Sequence, residues 1–370
     1  MNKASITGII LLSGLPFAFN ACGSGFESAP LHLGSTVSST DDERNDQTPG
    51  DERPPTSSPT ATPTLEPDPP APVVDKPIEV DRSNPRLIES IVDPKLLDSA
   101  ADKWADMQYA HLDTRVPPVG YLAIYLFGAG TSQPSHHVET YKLIASFGLH
   151  VIGPDYAQDY GVTTGCQAGD SACIGNKRLE AITGADHSSL IEVKRANSLE
   201  ARILKMLTHL EQTQPQYGWG YFLDQNGGIR WDRIVVIGHS HGSGTGPLMA
   251  KLHKVARAVA LAGPDDVVSD MPSDWTKMAS ATPADRYYGL TNVHELRIEK
   301  YKKSWTALGI DIVGKSEDIT DGVAPGSPDI RALYLSTDYG SESANHLSTV
   351  PSYAKTRALL TPIYEYLFVP

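Results

Sequence analysis

One nine-residue segment constrains the fold of this chain more than any other: residues 234–242 read Ile-Val-Val-Ile-Gly-His-Ser-His-Gly. Four consecutive apolar residues are typical of a strand that is buried on both faces of a sheet. Gly238 and Gly242 flank Ser240 in the spacing G-x-S-x-G, and a helical pattern follows. A turn this tight between strand and helix leaves no room for Cβ atoms at the flanking positions. The segment therefore predicts a sheet whose carboxyl edge presents the Ser240 hydroxyl, with the N–H of His241 beside it.

The sequence from residue 83 onward predicts the architecture around this segment, because short apolar runs alternate with helical patterns. Strands are predicted at 119–127, 149–152, 234–237, 256–262, 287–293 and 332–336. Helices are predicted at 97–111, 135–147, 198–212, 247–253, 296–308 and 353–367. This alternation indicates an α/β domain over residues 83–370, with a mostly parallel central sheet and helices on both faces.

A serine hydroxyl is a poor nucleophile without a base, so the histidines that follow Ser240 are candidates for that base. They are His253, His294 and His346. His253 comes late in the helix that leaves the turn, and we expect it to point away from the serine. His346 lies in a polar segment between the last predicted strand and the terminal helix, which is the place of the base in the chain order Ser, acid, His. His346 is therefore the predicted base, and an exposed loop histidine is the alternative.

The acid that orients such a base is expected after the last strand but one. Glu295 directly follows the strand predicted at 287–293 and is the leading candidate. A glutamate serves as well as an aspartate if its carboxylate reaches the imidazole N–H. Asp265 and Asp266, which follow an earlier strand, are the alternatives, as is Asp338 after the last strand.

Two backbone N–H groups are expected to stabilise an oxyanion in a site of this kind. One is that of His241, directly after the serine. The second normally lies in a loop after an early strand, where residues 127–131 (Phe-Gly-Ala-Gly-Thr) stand, and we favour the N–H of Ala129. A glycine turn without function is the alternative. The side chains of His239 and His241 are expected to lean away from the line of attack and to line the pocket.

The N-terminus predicts export. Residues 1–22 combine an early positive charge at Lys3 with an apolar run that is too short to span a bilayer, as in a secretory signal peptide. Residues 19–22 (Phe-Asn-Ala-Cys) resemble a bacterial lipobox, in which the cysteine becomes the lipidated N-terminus. Cys22 is therefore the predicted lipid attachment site, which would place the protein at the cell envelope. Plain secretion, also into the periplasm, and an uncleaved anchor are the alternatives.

Residues 23–82 are rich in Pro, Ser, Thr, Asp and Glu and predict a disordered linker that acts as a tether. This segment holds 12 acidic and 4 basic residues, a net charge of −8. The whole chain carries −13, so removing the linker and the single charge of Lys3 leaves −6 for the domain. The acidity of the chain argues against a nucleic-acid partner, which would require clustered Lys and Arg. Most of the negative charge lies in the linker and not in the domain.

Cys166 and Cys173 lie seven positions apart in a polar insertion at 163–176. In an exported chain they are expected to be oxidised to each other, and two free thiols are the alternative. The bridge would stiffen a loop over the carboxyl edge of the sheet, near the substrate. Three cysteines exclude a zinc site built from four thiolates, and no His/Cys spacing supports another metal site, so neither a metal nor a cofactor is predicted.

Over roughly residues 95–370 the chain resembles the α/β-hydrolase superfamily, and most of all secreted bacterial members of the serine esterase and lipase kind. The resemblance rests on the Gly-rich turn at 127–131, the Cys166/Cys173 pair, the G-H-S-x-G turn at 238–242, the A-G-P-x-D segment at 262–266, Tyr288-Gly289 and the loop residue His346. It implies the α/β-hydrolase fold and hydrolysis of small-molecule or lipid esters through an acyl-enzyme, with Ser240, His346 and Glu295 as the triad. The sequence departs from the common pattern at His241, where Gln is common, and at Glu295, where Asp is common.

Two other functions remain compatible with the same residues. A peptidase or an acyltransferase would use the same triad. A binding protein could retain the fold without catalysis, although the complete order of serine, acid and histidine argues against this. No protein partner is inferred from the sequence.

Overall fold

The structure is a computed structural model, and it describes residues 77–130 and 132–370. The predicted signal peptide with Cys22, the linker up to residue 76 and Thr131 lie outside the described residues. Within the described part of the chain, no helix is long and apolar enough to cross a membrane.

A twisted sheet of nine strands forms the centre of the described residues. Its strand order is β1-β2-β4-β3-β5-β6-β9-β11-β10. β1 pairs antiparallel with β2, and β2 pairs antiparallel with β4, whereas the other neighbouring pairs are parallel. β7 and β8 form a separate antiparallel pair. The strands are β1 (Leu87–Val92), β2 (Gln108–Asp113), β3 (Leu122–Leu126), β4 (His150–Gly153), β5 (Ile234–His239), β6 (Arg257–Leu261), β7 (Val267–Val268), β8 (Met271–Pro272), β9 (Tyr287–Asn292), β10 (Lys315–Asp318) and β11 (Ile330–Leu335).

Helices cover the central strands from both sides. Every residue of β3, β4, β5, β6 and β9 is buried, and successive side chains of a strand point to opposite faces, so both faces of the sheet are covered. The helices are α1 (Pro94–Leu97), α2 (Val138–Ser146), α3 (Cys173–Thr183), α4 (Leu199–Thr213), α5 (Gly242–Leu252), α6 (Ile298–Leu308), α7 (Ile310–Val313), α8 (Glu342–Leu347) and α9 (Ala354–Phe368). The predicted α/β class, with a mostly parallel central sheet, is confirmed.

The helix predicted over 97–111 is wrong. α1 ends at Leu97, and the end of the predicted segment belongs to β2, which lies between β1 and β4. The apolar residues that suggested a helical spacing mostly lie outside β2: Leu97 ends α1, and Ala101, Trp104 and Met107 belong to a connecting segment that is neither helix nor strand. The polar insertion at 163–176 likewise contains the start of α3, and His346 lies in the short helix α8 rather than in a loop.

The last residues of the predicted linker contact the domain. Residues 77–82 form neither helix nor strand. Ile78 and Val80 nevertheless pack against the hydrophobic core, and the N–H of Asp81 donates to Gln216 O at 2.8 Å. Contacts of the domain thus begin before residue 83.

Candidate active site

The segment 234–242 folds as a strand, a sharp turn and a helix. β5 is fully buried, Ser240 adopts a left-handed φ of 54°, and α5 begins at Gly242. A Cβ atom on Gly238 would lie 2.0 Å from Gly242 O, so a side chain at this position would prevent the turn. A positive φ is costly for a serine, and such strain persists only where the surrounding structure enforces it. The turn presents a half-buried Ser240 at the carboxyl edge of the sheet.

The predicted base and the leading acid contact each other. His346 Nδ1 lies 2.5 Å from Glu295 Oε2, although the two residues are 51 positions apart. Glu295 is 2% exposed and sits in the turn between β9 and α6, whereas the His346 side chain is 26% exposed. An imidazole whose Nδ1–H donates to a buried carboxylate is held in one tautomer, with Nε2 available as an acceptor.

Three further donors hold the Glu295 carboxylate. Thr291 Oγ1 donates to Oε1 at 2.8 Å, the N–H of Asn292 approaches the same oxygen at 3.4 Å, and Tyr301 Oη donates to Oε2 at 3.1 Å. Burial, followed by the nearby charge of Glu295, raises the pKa of Tyr301, so its hydroxyl remains a donor. Glu295 is thus a fixed carboxylate that is aimed at His346.

The alternative acids pair with other groups. Asp266 is fully buried and accepts from the Arg178 guanidinium, and Asp265 accepts from Arg297 Nη1 at 2.9 Å. Asp338 accepts from the N–H of Gly340 and from the side-chain amide of Asn345. Among the described carboxylates, Glu295 alone bonds to His346.

The remaining histidines after the turn lie in other surroundings. His253 Nε2 bonds to Glu200 Oε1 at 2.8 Å, and its ring stacks on Trp231 with centroids 4.0 Å apart. His294 is exposed and bonds to Ser336 O at 2.9 Å. In the part of the chain that the structure describes, neither of them bonds to Glu295 or packs against His239, whereas His346 does both.

The loop after β3 lies directly against Ser240. A Cβ atom on Gly128 would lie 3.2 Å from Ser240 Cβ and 3.5 Å from its Oγ. Within residues 77–130 and 132–370, the backbone N–H groups of Ala129 and His241 donate to no protein acceptor. Both residues line the same cavity as Ser240. Two unused donors thus belong to residues that line the same cavity as the serine.

The two histidines beside Ser240 have different surroundings. The His241 ring packs edge-on against Tyr160, with centroids 4.8 Å apart, and His241 lines the cavity as predicted. The His239 ring instead packs against His346, with centroids 4.8 Å apart, and is not part of the cavity wall. Burial lowers the pKa of both histidines well below the ordinary value. The neighbouring His346 lowers the pKa of His239 further, and the charge of Arg178 lowers that of His241. Both rings are therefore neutral near pH 7.

The cavity in front of Ser240 measures about 350 Å³. Its walls come from five segments, which are the loop after β3, residues 160–163, the turn before α5, the loop after β6 and the start of α6. Residues 160–163 lead into the disulfide between Cys166 and Cys173, which is present in the structure with Cα atoms 5.7 Å apart. The predicted disulfide is thus present, and the residues just before it line the cavity, whereas Cys166 and Cys173 do not. Among the described residues, no group of three His, Cys, Asp or Glu side chains is arranged to hold a metal ion.

A fully buried ion pair behind the turn was not anticipated from the sequence. Arg178 on α3 donates through Nε and Nη2 to both oxygens of Asp266, each at 2.7 Å. Its Nη1 donates to His241 O and to Thr245 Oγ1, each at 2.8 Å. Burial opposes the charge of Arg178, but the neighbouring Asp266 outweighs burial and raises the pKa of the guanidinium. Arg178 therefore fixes the backbone that carries the His241 N–H.

No local pattern pointed to Arg178. Its partner Asp266 lies 88 positions away, and α3 falls in a segment without a clear amphipathic pattern. The same holds for Tyr301, which reaches Glu295 from a predicted helix but has no sequence signal of its own.

No protein-family model matches this sequence, and no curated protein matches it. Among solved structures, the chain is similar to an S-formylglutathione hydrolase from Agrobacterium tumefaciens, with 12% identity, a TM-score of 0.41, and coverage of 74% of this chain and 95% of that one. A ferulic acid esterase gives 9% identity and a TM-score of 0.40 over 76% of this chain and 100% of its own. An esterase from Pyrobaculum calidifontis gives 11% identity and a TM-score of 0.37, with coverage of 77% of this chain and 84% of its own.

At these identities and TM-scores, the three similarities say nothing about a reaction. The fold is evident from the chain itself, through the order of the strands, the antiparallel β2, the serine turn after β5 and the histidine that follows β11. With this sheet and this turn, the chain is a protein of the α/β-hydrolase fold.

Proposed function

We propose that the protein is a serine hydrolase that cleaves carboxylic esters through an acyl-enzyme. The observation that carries the proposal is the contact between His346 Nδ1 and the buried Glu295 carboxylate, together with a serine held on a turn with a positive φ. His239, the neighbour of Ser240 in the chain, links the two, because its ring packs against His346 with centroids 4.8 Å apart. His253 also bonds to a carboxylate, that of Glu200, and Ser269 also has a positive φ, so the proposal rests on the two features in combination. Together they are the components of a nucleophile with its base.

In the proposed reaction, Ser240 Oγ attacks the ester carbonyl while its proton passes to His346 Nε2. Glu295 keeps the imidazole oriented and stabilises the imidazolium that forms. The N–H groups of Ala129 and His241 bind the oxyanion of the tetrahedral intermediate. His346 then gives the proton to the leaving alcohol, and water repeats the sequence on the acyl-enzyme to release the acid.

Hydrolysis of p-nitrophenyl butyrate by the unmodified protein and by Ser240→Ala tests the proposal. We expect the substitution to lower kcat by a factor on the order of 10⁴ or more, because the acyl-enzyme can no longer form. Ser146→Ala, at the exposed end of α2, is the matched control and should retain full activity. Equal turnover by the unmodified protein and Ser240→Ala would exclude the proposed nucleophile.

We also propose that the chain is exported and anchored to a membrane through a lipid on Cys22. The support is the sequence of residues 1–22 and the Pro-rich linker that follows it. Metabolic labelling with a palmitate analogue in a bacterial host tests this, with Cys22→Ser as the control. A label that persists in Cys22→Ser, or no label in either protein, would rule out the anchor.

A further inference from the structure

The cavity in front of Ser240 carries positive charge, although the domain as a whole is acidic. Arg297 and Lys300 line it, and Asp265 is the single acidic residue among the described lining residues. The lining therefore has a net charge of +1, against −6 for residues 83–370. Charge of one sign that is concentrated in a cleft raises the local concentration of ligands of the opposite sign.

The geometry of α6 explains why these groups face the cavity together. Arg297, Lys300 and Tyr301 stand at positions i, i+3 and i+4 around the start of the helix, and residues with this spacing share one helix face. Tyr301 also bonds to Glu295, the proposed triad acid. The cationic face is thus tied to the reacting groups through a fixed contact.

Both cations have unused hydrogen-bonding capacity. Asp265 occupies only Nη1 of Arg297, whose side chain is 63% exposed. The side chain of Lys300 has no hydrogen-bond or ion-pair partner among the described residues. A guanidinium edge and an ammonium group that face one cavity suit an incoming carboxylate.

We propose that the cavity selects esters that carry a second group, a free carboxylate, and that Arg297 and Lys300 bind this carboxylate while Ser240 attacks the ester carbonyl. A single negative charge matches the net charge of +1 better than a dianion does. The inference rests on the proposed ester hydrolysis and adds the class of substrate to it.

Two matched pairs of esters test the inference on the full-length protein. The first pair is 4-acetoxybenzoate and its methyl ester, which differ by one charge on the leaving group. The second is p-nitrophenyl hydrogen adipate and its methyl ester, which differ by one charge on the acyl group. The measured quantity is the ratio of kcat/KM for the anionic ester to that for the neutral ester. We expect a ratio above one in the pair whose carboxylate reaches the cations, falling as NaCl is raised to about 0.5 M.

Three variants give predictions of different sign. The double variant Arg297→Gln/Lys300→Gln should lower the ratio about tenfold, because two charge-assisted contacts are lost. Asp265→Asn should raise the ratio about threefold, because it removes the competing carboxylate. Lys302→Gln removes one positive charge from the same helix, but Lys302 pairs with Glu299 and does not line this cavity, so the ratio should not change.

The outcomes separate the two proposals. If the unmodified protein hydrolyses the neutral esters but the ratio responds neither to the double variant nor to Asp265→Asn, the inference is overturned and ester hydrolysis stands. If the unmodified protein hydrolyses p-nitrophenyl butyrate but none of these four esters, the inference is overturned and ester hydrolysis stands. If it hydrolyses neither p-nitrophenyl butyrate nor these esters, both proposals fall. If a thermal melt shows that the double variant folds poorly, Asp265→Asn alone tests the inference. A ratio of kcat/KM values that does not rise in Asp265→Asn contradicts it.

Discussion

Replacing Arg178 by methionine is expected to destabilise the domain and the serine turn together. The side chains of Arg178 and Asp266 are 1% and 0% exposed, and they share two hydrogen bonds of 2.7 Å. Arg178→Met leaves the Asp266 carboxylate buried, with the indole N–H of Trp275 as its remaining side-chain donor at 2.8 Å. It also removes the donor to His241 O. Breaking a buried ion pair from one side typically costs about 3–5 kcal/mol.

The free energy of unfolding in urea and the Tm provide the assay. For a domain of this size, a loss of about 3–5 kcal/mol lowers the Tm by roughly 5–8 °C. Lys302→Gln, which breaks an exposed pair, should cost under about 1 kcal/mol. The double variant Arg178→Met/Asp266→Leu should recover part of the loss, because no unpaired charge then stays buried.

Two results would refute this reasoning about Arg178. One is a Tm for Arg178→Met within about 2 °C of the unmodified protein. The other is a double variant no more stable than Arg178→Met, since the cost would then not come from the unpaired carboxylate.

Two further predictions concern the triad acid and the buried histidines. Glu295→Gln should lower kcat for p-nitrophenyl butyrate by a factor on the order of 10²–10⁴, because the amide does not stabilise the imidazolium, whereas Glu299→Gln, an exposed residue of α6, should leave kcat unchanged; equal losses in both variants would contradict the assignment. Burial lowers the pKa of His150 to about 4. In the unfolded chain this histidine is protonated below about pH 6.5, whereas in the folded protein it stays neutral down to about pH 4. The stability that depends on this residue is therefore present above pH 6.5 and is lost as the pH falls, by about 2 kcal/mol at pH 5, and a Tm that does not fall between pH 7.5 and pH 5 would contradict this.

The features that could be predicted from the sequence are those that short stretches of the chain determine. Residues 234–242 specify a strand and a turn within nine positions, and the chain order that follows the turn led to His346 and Glu295. The fully apolar strands were recognised because both faces of the sheet are covered. These features require no knowledge of distant contacts.

The features that were not predicted depend on residues that are far apart in the chain. The pairing of Arg178 with Asp266 becomes visible only when α3 is placed behind the serine turn. The helix predicted over 97–111 was wrong because the apolar residues of an irregular connection, Ala101, Trp104 and Met107, happen to fall at a helix-like spacing. The cationic face of α6 had no signal in the sequence, because its cavity is assembled from five separate segments.

Labelling by a fluorophosphonate probe tests the central claim most directly, because the probe reacts with a serine only when a base activates it. Intact mass spectrometry should show one adduct per chain, and peptide mapping should locate it on Ser240. The adduct should be absent from Ser240→Ala and strongly reduced in His346→Ala. An unlabelled protein, or equal labelling of Ser240→Ala, would contradict the proposal that Ser240 is an activated nucleophile.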